Sequence, residues 1–283
     1  MNKLFALALV TLHGAAIAQT PAVNPMPDGS RDMYVGLGVQ SAPRYEGAKS
    51  HKVNALPVLQ VQWSNGIFIS GVSAGMHLSG QPSVEFGPLL SVQGGRDAKG
   101  LSGDVGGVDT SGFPSLGPTV LKAADLDNPL AGLDEIRTRV LGGAFFNYYV
   151  APQWRLTTSV LYGAGNDRNG AKLDLGVQRL AAHIAPHHTL SVSAGVTLGN
   201  RQYNRAWFGI SPAEAPRVGR PGYYPKGGLK DIHVGARWNW ALSPSWMVTS
   251  YLQAAHLQGD AKNSPLVQRP TNVSVSTALA YRF

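Results

Sequence analysis

The sequence predicts an all-β chain, an antiparallel transmembrane β-barrel, and three observations carry that expectation. Apolar and small or polar residues alternate with a period of two in segment after segment, and helical spacing is sustained nowhere after the first eighteen residues. Only 14% of the residues are charged, well under the roughly 25% usual for soluble proteins. Aromatic residues gather near the ends of the alternating segments, where a barrel places its interfacial girdles.

Residues 1–18 read as a secretory signal and stand outside the fold. Lys3 supplies the positive start, Leu4 to Leu12 the short apolar core, and Ala16-Ile17-Ala18 the small-x-small cleavage pattern. A mature chain would begin at Gln19, with 19–30 as a periplasmic N-terminal segment and 31–283 as the barrel. The alternative is a buried N-terminal helix. Without cysteine, neither a lipoprotein anchor nor a disulfide framework is available.

The expected strands are 31–42, 53–63, 66–77, 83–93, 136–149, 153–163, 171–180, 189–199, 229–242, 246–257 and 272–283. Met33, Val35, Leu37 and Val39 define the outward face of the first, against Tyr34, Gly36, Gly38 and Gln40. Asn65-Gly66 suits a tight turn, because both residues tolerate positive φ. Pro152 and Pro244 mark two more short turns, each followed by a tryptophan, Trp154 and Trp246. By contrast, 94–135 and 200–228 are long, Gly/Pro/Asp-rich loops with room for short helices or extra strand. The last segment alternates to the final residue, with Val273, Val275, Leu279, Tyr281 and Phe283 on one face.

Eleven segments conflict with the even strand number of single-chain bacterial barrels. One strand is therefore missed or two are merged, with 66–93 and Tyr203 to Ile210 as the candidates. Twelve strands is the expectation and ten the alternative.

On such a barrel the second face lines the lumen. It carries Glu85, Arg155, Lys172, Asp174, Gln178, His233, Arg237 and Arg282. Charges of both signs can pair in a polar interior, whereas a basic residue in lipid costs about 2–4 kcal/mol at mid-depth. The formal charge of +8 is scattered singly, which fits anionic lipid or lipopolysaccharide phosphates better than nucleic acid.

Other clusters carry less. His187-His188 has no acidic or third histidine neighbour at ligand spacing. His233, beside Asp231 and Arg237, fits a hydrogen-bonded network better than a general base, because no Gly-x-Ser-x-Gly elbow accompanies it. Gly94-Gly95, Gly100 and the glycines of 103–107 lack the Gly-Lys-[Ser/Thr] of a phosphate loop. Asp104, Asp109, Asp125, Asp127 and Asp134 match no hard-cation loop. No catalytic residue, metal or cofactor is expected.

Several segments, in order, resemble the MipA/OmpV family of outer-membrane proteins. These are YVGLGVQSAPRYEGAKSHKVNALPVLQVQW with its Pro43, Tyr45 and Gly47, then FGPLLSVQGGRD (Phe86 to Asp97), then YNRAWFGISPAEA (Tyr203 to Ala215). The final stretch GLKDIHVGARWNWALSPSWMVTSYLQAAHLQGDAKNSPLVQ includes Gly259-Asp260-Ala261 and Ser264-Pro265-Leu266-Val267. Residues 98–135 depart from the family by their length and Gly/Pro content. The resemblance implies an outer-membrane scaffold joining a lytic transglycosylase to a murein synthase. A small-solute channel, or a surface adhesin or receptor, is the alternative. The ending at Val275, Leu279, Tyr281 and Phe283 also resembles the signal read by the barrel-assembly machinery.

Overall fold

A computed structural model describes residues 29–98, 100–101, 128–163 and 170–283. The proposed signal segment lies outside the described residues, as do Asp104, Asp109, Asp125, Asp127 and the glycines of 103–107.

Twelve antiparallel strands close into a barrel. They are β1 (Arg31–Pro43), β2 (His51–Trp63), β3 (Ile67–Ser70), β4 (Ser73–Met76), β5 (Val84–Gln93), β8 (Arg139–Ala151), β9 (Trp154–Gly163), β10 (Gly170–Ala185), β11 (His188–Gly199), β12 (Gly228–Ala241), β13 (Trp246–Leu257) and β14 (Thr271–Arg282). Two residue pairs, β6 (Arg96–Asp97) and β7 (Gly100–Leu101), form a separate small hairpin. Each barrel strand pairs with its neighbour in sequence, and β1 pairs with β14 from Tyr34↔Arg282 to Ser41↔Val275. Closure leaves the wall without a first or last edge, a requirement for backbone polar groups in hydrocarbon.

The merged segment is 66–77. It is two four-residue strands, β3 and β4, joined by a turn at 71–72. Ser70 and Ser73 pair and share a face at an odd spacing, which breaks the period of two, but the small residues Ser70, Gly71, Ser73, Ala74 and Gly75 mark neither face and so conceal the break. The other candidate, Tyr203 to Ile210, is not strand: Arg201–Phe208 is the helix α1. Asn200 caps it by accepting a hydrogen bond from Tyr203 N–H at 2.8 Å. Two further turns of helix, α2 (Ala215–Val218) and α3 (Gly259–Lys262), sit in the loops.

Alternation decides which side chains meet the membrane. Leu37, Val39, Val53, Leu90, Val160, Val275 and Leu279 are exposed on the outer wall. Inside, Phe68, Leu89, Leu141, Phe145 and Leu161 form one apolar cluster, and Leu56, Val58, Ala278 and Ala280 another. The β1–β14 seam needs small residues. A Cβ on Gly38 would lie 2.2 Å from Thr277 O and 2.5 Å from Ala278 Cβ. The start of β1, the end of β14 and the short turns 64–66, 152–153 and 186–187 share one rim. The long loops share the other, the arrangement of bacterial barrels with periplasmic termini.

Candidate functional site

Two buried polar networks occupy the barrel interior. Nearer the terminal rim, Arg155 is only 3% exposed. Its Nε donates to Gln178 Oε1 at 2.9 Å, and Nη1 lies 3.4 Å from Glu85 Oε2. Glu85 also accepts from Tyr149 Oη at 2.6 Å and Asn147 Nδ2 at 3.1 Å. Register explains the meeting, since Glu85↔Asn147, Tyr149↔Arg155 and Arg155↔Gln178 are cross-strand partners on one face. A buried guanidinium is tolerated only when paired and hydrogen-bonded in this way.

The second network lies nearer the long-loop rim and centres on Lys230, 6% exposed. Its Nζ is 2.9 Å from both oxygens of Glu46 and 2.9 Å from Asp231 Oδ2. Asp231 Oδ1 meets His233 Nδ1 at 2.9 Å and accepts from Thr197 Oγ1 at 3.3 Å. Thr197 also donates to Asp174 at 2.8 Å, and Lys172 lies 3.7 Å from Asp174 Oδ2. The Arg237 guanidinium lies 5.0 Å from the centre of the Tyr251 ring. Arg282 lies at the terminal rim, bonded to Asp32 at 2.7 Å. Two interior cavities border these groups: about 50 Å³ beside Asp174 and His233, and about 40 Å³ beside Arg237 and Tyr251. Each has room for a few waters.

Above the second network the long loops pack into a cap. Tyr45 Oη donates to Leu266 O at 3.0 Å, and Ser264 Oγ to Phe208 O at 2.6 Å. Arg96 Nη1 donates to Trp207 O at 2.6 Å, and Arg220 to Pro265 O. Phe208, Leu257 and Ala261 form its apolar centre. On α1, Tyr203 is buried and accepts from Gln93 Nε2 at 3.3 Å. Burial holds its phenol well above the ordinary value, although the nearby Lys230 cation opposes the rise.

The cap contains a cleft of about 990 Å³. One wall comes from 134–139 and the other from α1 and 209–224. Glu214, 1% exposed, pins the walls together. One carboxylate oxygen accepts from Asp134 N–H at 2.9 Å and the other from Ser211 N–H at 2.8 Å. Backbone bridges Arg96↔Ile136 and Ile210↔Tyr223 hold the same two walls.

The terminal rim is aromatic. Trp246 and Tyr281 pack edge to face at 5.0 Å, and Tyr281 and Phe283 at 4.8 Å. Phe283 is 66% exposed, and its N–H donates to Met33 O at 2.9 Å. His188 stacks on Trp238 and Trp240 at 5.5 and 5.4 Å, while His187 takes a φ of 65° in the preceding turn. Among the described residues no group of three His, Cys, Asp or Glu could hold a metal.

Sequence reasoning missed Lys230, Glu46, Tyr203 and Glu214. Strict alternation sends Lys230 outward, because Asp231 beside it points in. A register shift between Thr197 and Leu198 turns both inward. The signal was energetic: a lysine on the lipid face would be costly. Glu46 and Glu214 lie in irregular loop segments, and Tyr203 on a two-turn helix inside a stretch expected to be loop or strand, so no strand periodicity indicates a face for any of them.

A family model described as MltA-interacting protein MipA matches residues 35–283. The MltA-interacting protein of Escherichia coli (strain K12) is 23% identical over 168 residues, 59% of this chain and 66% of that protein. The alignment thus spans just under two thirds of the relative's length. An outer-membrane channel from Pseudomonas putida F1 is 10% identical, with 93% of this chain and 99% of that one covered and a TM-score of 0.44. The translocator domain of the autotransporter NalP from Neisseria meningitidis is 11% identical, with 92% and 91% covered and a TM-score of 0.40.

Proposed function

The chain belongs to the MltA-interacting protein MipA family, and from that premise we propose that this outer-membrane barrel is a non-enzymatic scaffold for murein-processing enzymes. The partner is a lytic transglycosylase, in line with the name of its Escherichia coli relative, and a murein synthase completes the assembly. The observation that carries this reading is the capped outer end above an interior filled by paired charges. A barrel so filled offers its periplasmic rim to other proteins more readily than a passage to solutes. The exposed rim residues Leu78, Leu242 and Phe283 supply apolar contact area there.

Residues 1–18 direct export and are removed from the mature chain. The ending at Val275, Leu279, Tyr281 and Phe283 is read by the barrel-assembly machinery, and the outer wall sits among lipid and lipopolysaccharide.

Immobilised full-length protein in detergent should retain a purified MltA-type lytic transglycosylase. Absence of retention, together with steady conductance in planar bilayers, would replace the scaffold by the small-solute channel.

A further inference from the structure

We propose that the outer cleft binds an acidic saccharide, a sugar chain bearing carboxylate or phosphate groups. The cleft's size falls at the upper end of the ~300–1,000 Å³ typical of ligand sites. Its walls are held before any ligand arrives by the buried Glu214 carboxylate and by two backbone bridges. Preorganisation of this kind reduces the ordering cost of binding.

The lining selects the charge of the ligand. Arg137, Arg139 and Arg205 contribute three guanidiniums. Of the three carboxylates, Glu214 is engaged with backbone N–H groups, and Asp134 is bonded to Arg217 at 2.6 Å. Glu214 keeps its charge, so three guanidiniums stand against Glu135 and Glu214, and the lining has one net positive charge that favours an anion. Guanidiniums recognise carboxylate and phosphate through paired hydrogen bonds.

The aromatic lining selects a sugar. Tyr224 is exposed, and the Arg205 guanidinium lies 5.8 Å from its ring centre. Tyr223 is fixed alongside by donation to Asp260 O at 2.7 Å. An exposed ring beside a cation presents an apolar platform next to an anion-binding group, the two surfaces of an acidic pyranose. The cleft opens on the long-loop rim, level with the sugars of the outer leaflet. The saccharide therefore comes either from lipopolysaccharide of the same membrane or from a soluble acidic glycan. This inference is independent of the scaffold reading, which concerns the opposite rim.

Full-length protein in nanodiscs free of lipopolysaccharide would be titrated calorimetrically with three probes. These are a hyaluronan tetrasaccharide, a deacylated phosphorylated core oligosaccharide, and neutral cellotetraose. Binding of at least one acidic probe is expected, with cellotetraose weaker by about tenfold or more, the loss expected when charge-assisted hydrogen bonds are removed. Tighter binding of the core oligosaccharide assigns the membrane source, and tighter binding of hyaluronan the soluble one. Arg205→Gln and Arg137→Gln should each weaken the acidic probe, whereas Arg31→Gln on the opposite rim should not. Heat-modifiable gel migration verifies that each variant is folded. The proposal is overturned if neither acidic probe binds, if cellotetraose binds equally, or if Arg31→Gln weakens binding as much as folded Arg205→Gln.

Discussion

Lys230 Nζ lies 2.9 Å from both carboxylate oxygens of Glu46, a residue 184 positions earlier in the chain. The pair ties the first outer loop to the start of β12. Asp231 shares the same ammonium, so one buried cation serves two acids. Lys230→Met leaves both carboxylates without it and should lower stability by about 3–5 kcal/mol, the cost of breaking a buried pair. Glu46→Gln keeps the shape and the Asp231 contact, and its loss should be about 1–3 kcal/mol. Urea unfolding of the detergent-solubilised protein measures both. Equal effects would mean that Glu46, not Asp231, dominates the site.

The β1–β14 seam makes a second expectation. Gly38→Val would place side-chain atoms against Thr277 O and Ala278, where even a Cβ has no space. The strand pair that closes the barrel should then fail, so heat-modifiable protein in the outer membrane falls severalfold. Gly80→Ala, with nothing within 4 Å of the added carbon, should assemble normally. A normal yield for Gly38→Val would show that the seam relaxes at little cost.

Phe283 tests the assembly proposal. Its exposed ring makes one edge contact with Tyr281, so deletion removes little packing from the folded wall. Deletion should therefore reduce outer-membrane yield while leaving the unfolding midpoint of the assembled fraction within a small margin. A pulse-chase of membrane insertion reads the first quantity. Unchanged insertion would assign the terminal aromatic to the girdle alone.

Tyr203 predicts an alkaline weakness. Its phenol is held neutral by burial, so its folded pKa lies above the unfolded value of about 10. The contribution to stability is complete below pH ~10 and is lost as pH rises through the folded pKa, because only the unfolded chain ionises first. Wild-type stability should fall between pH ~10 and ~11.5 more steeply than that of Tyr203→Phe, compared by thermal unfolding. Parallel curves would remove Tyr203 from the cause.

Much of the wall was legible because alternation is local. The run from Val273 to Phe283 names its own outward face, and β14 presents Val275 and Leu279 there. The same periodicity failed at 66–77, where the phase changes between Ser70 and Ser73 but small residues on both sides of the turn give no contrast to show it. It failed again at Lys230, where a shifted register turns two consecutive residues inward. Arg155 and Glu85 could be placed on one face by counting, but their bond at 3.4 Å depends on β8 standing between their strands.

Sequence alone thus determined most of the strands, the two faces of the wall and the need for closure, since side-chain period and backbone hydrogen bonding are properties of short stretches. Tertiary structure alone decided what fills and caps the barrel. Closure brings Glu46 to Lys230, Tyr45 to Leu266 and Asp134 to Glu214, and each contact has at least one partner in a loop, where no period indicates a face. Their partners are set by where twelve strands leave the loop ends, a geometric consequence of the whole wall and of no single segment.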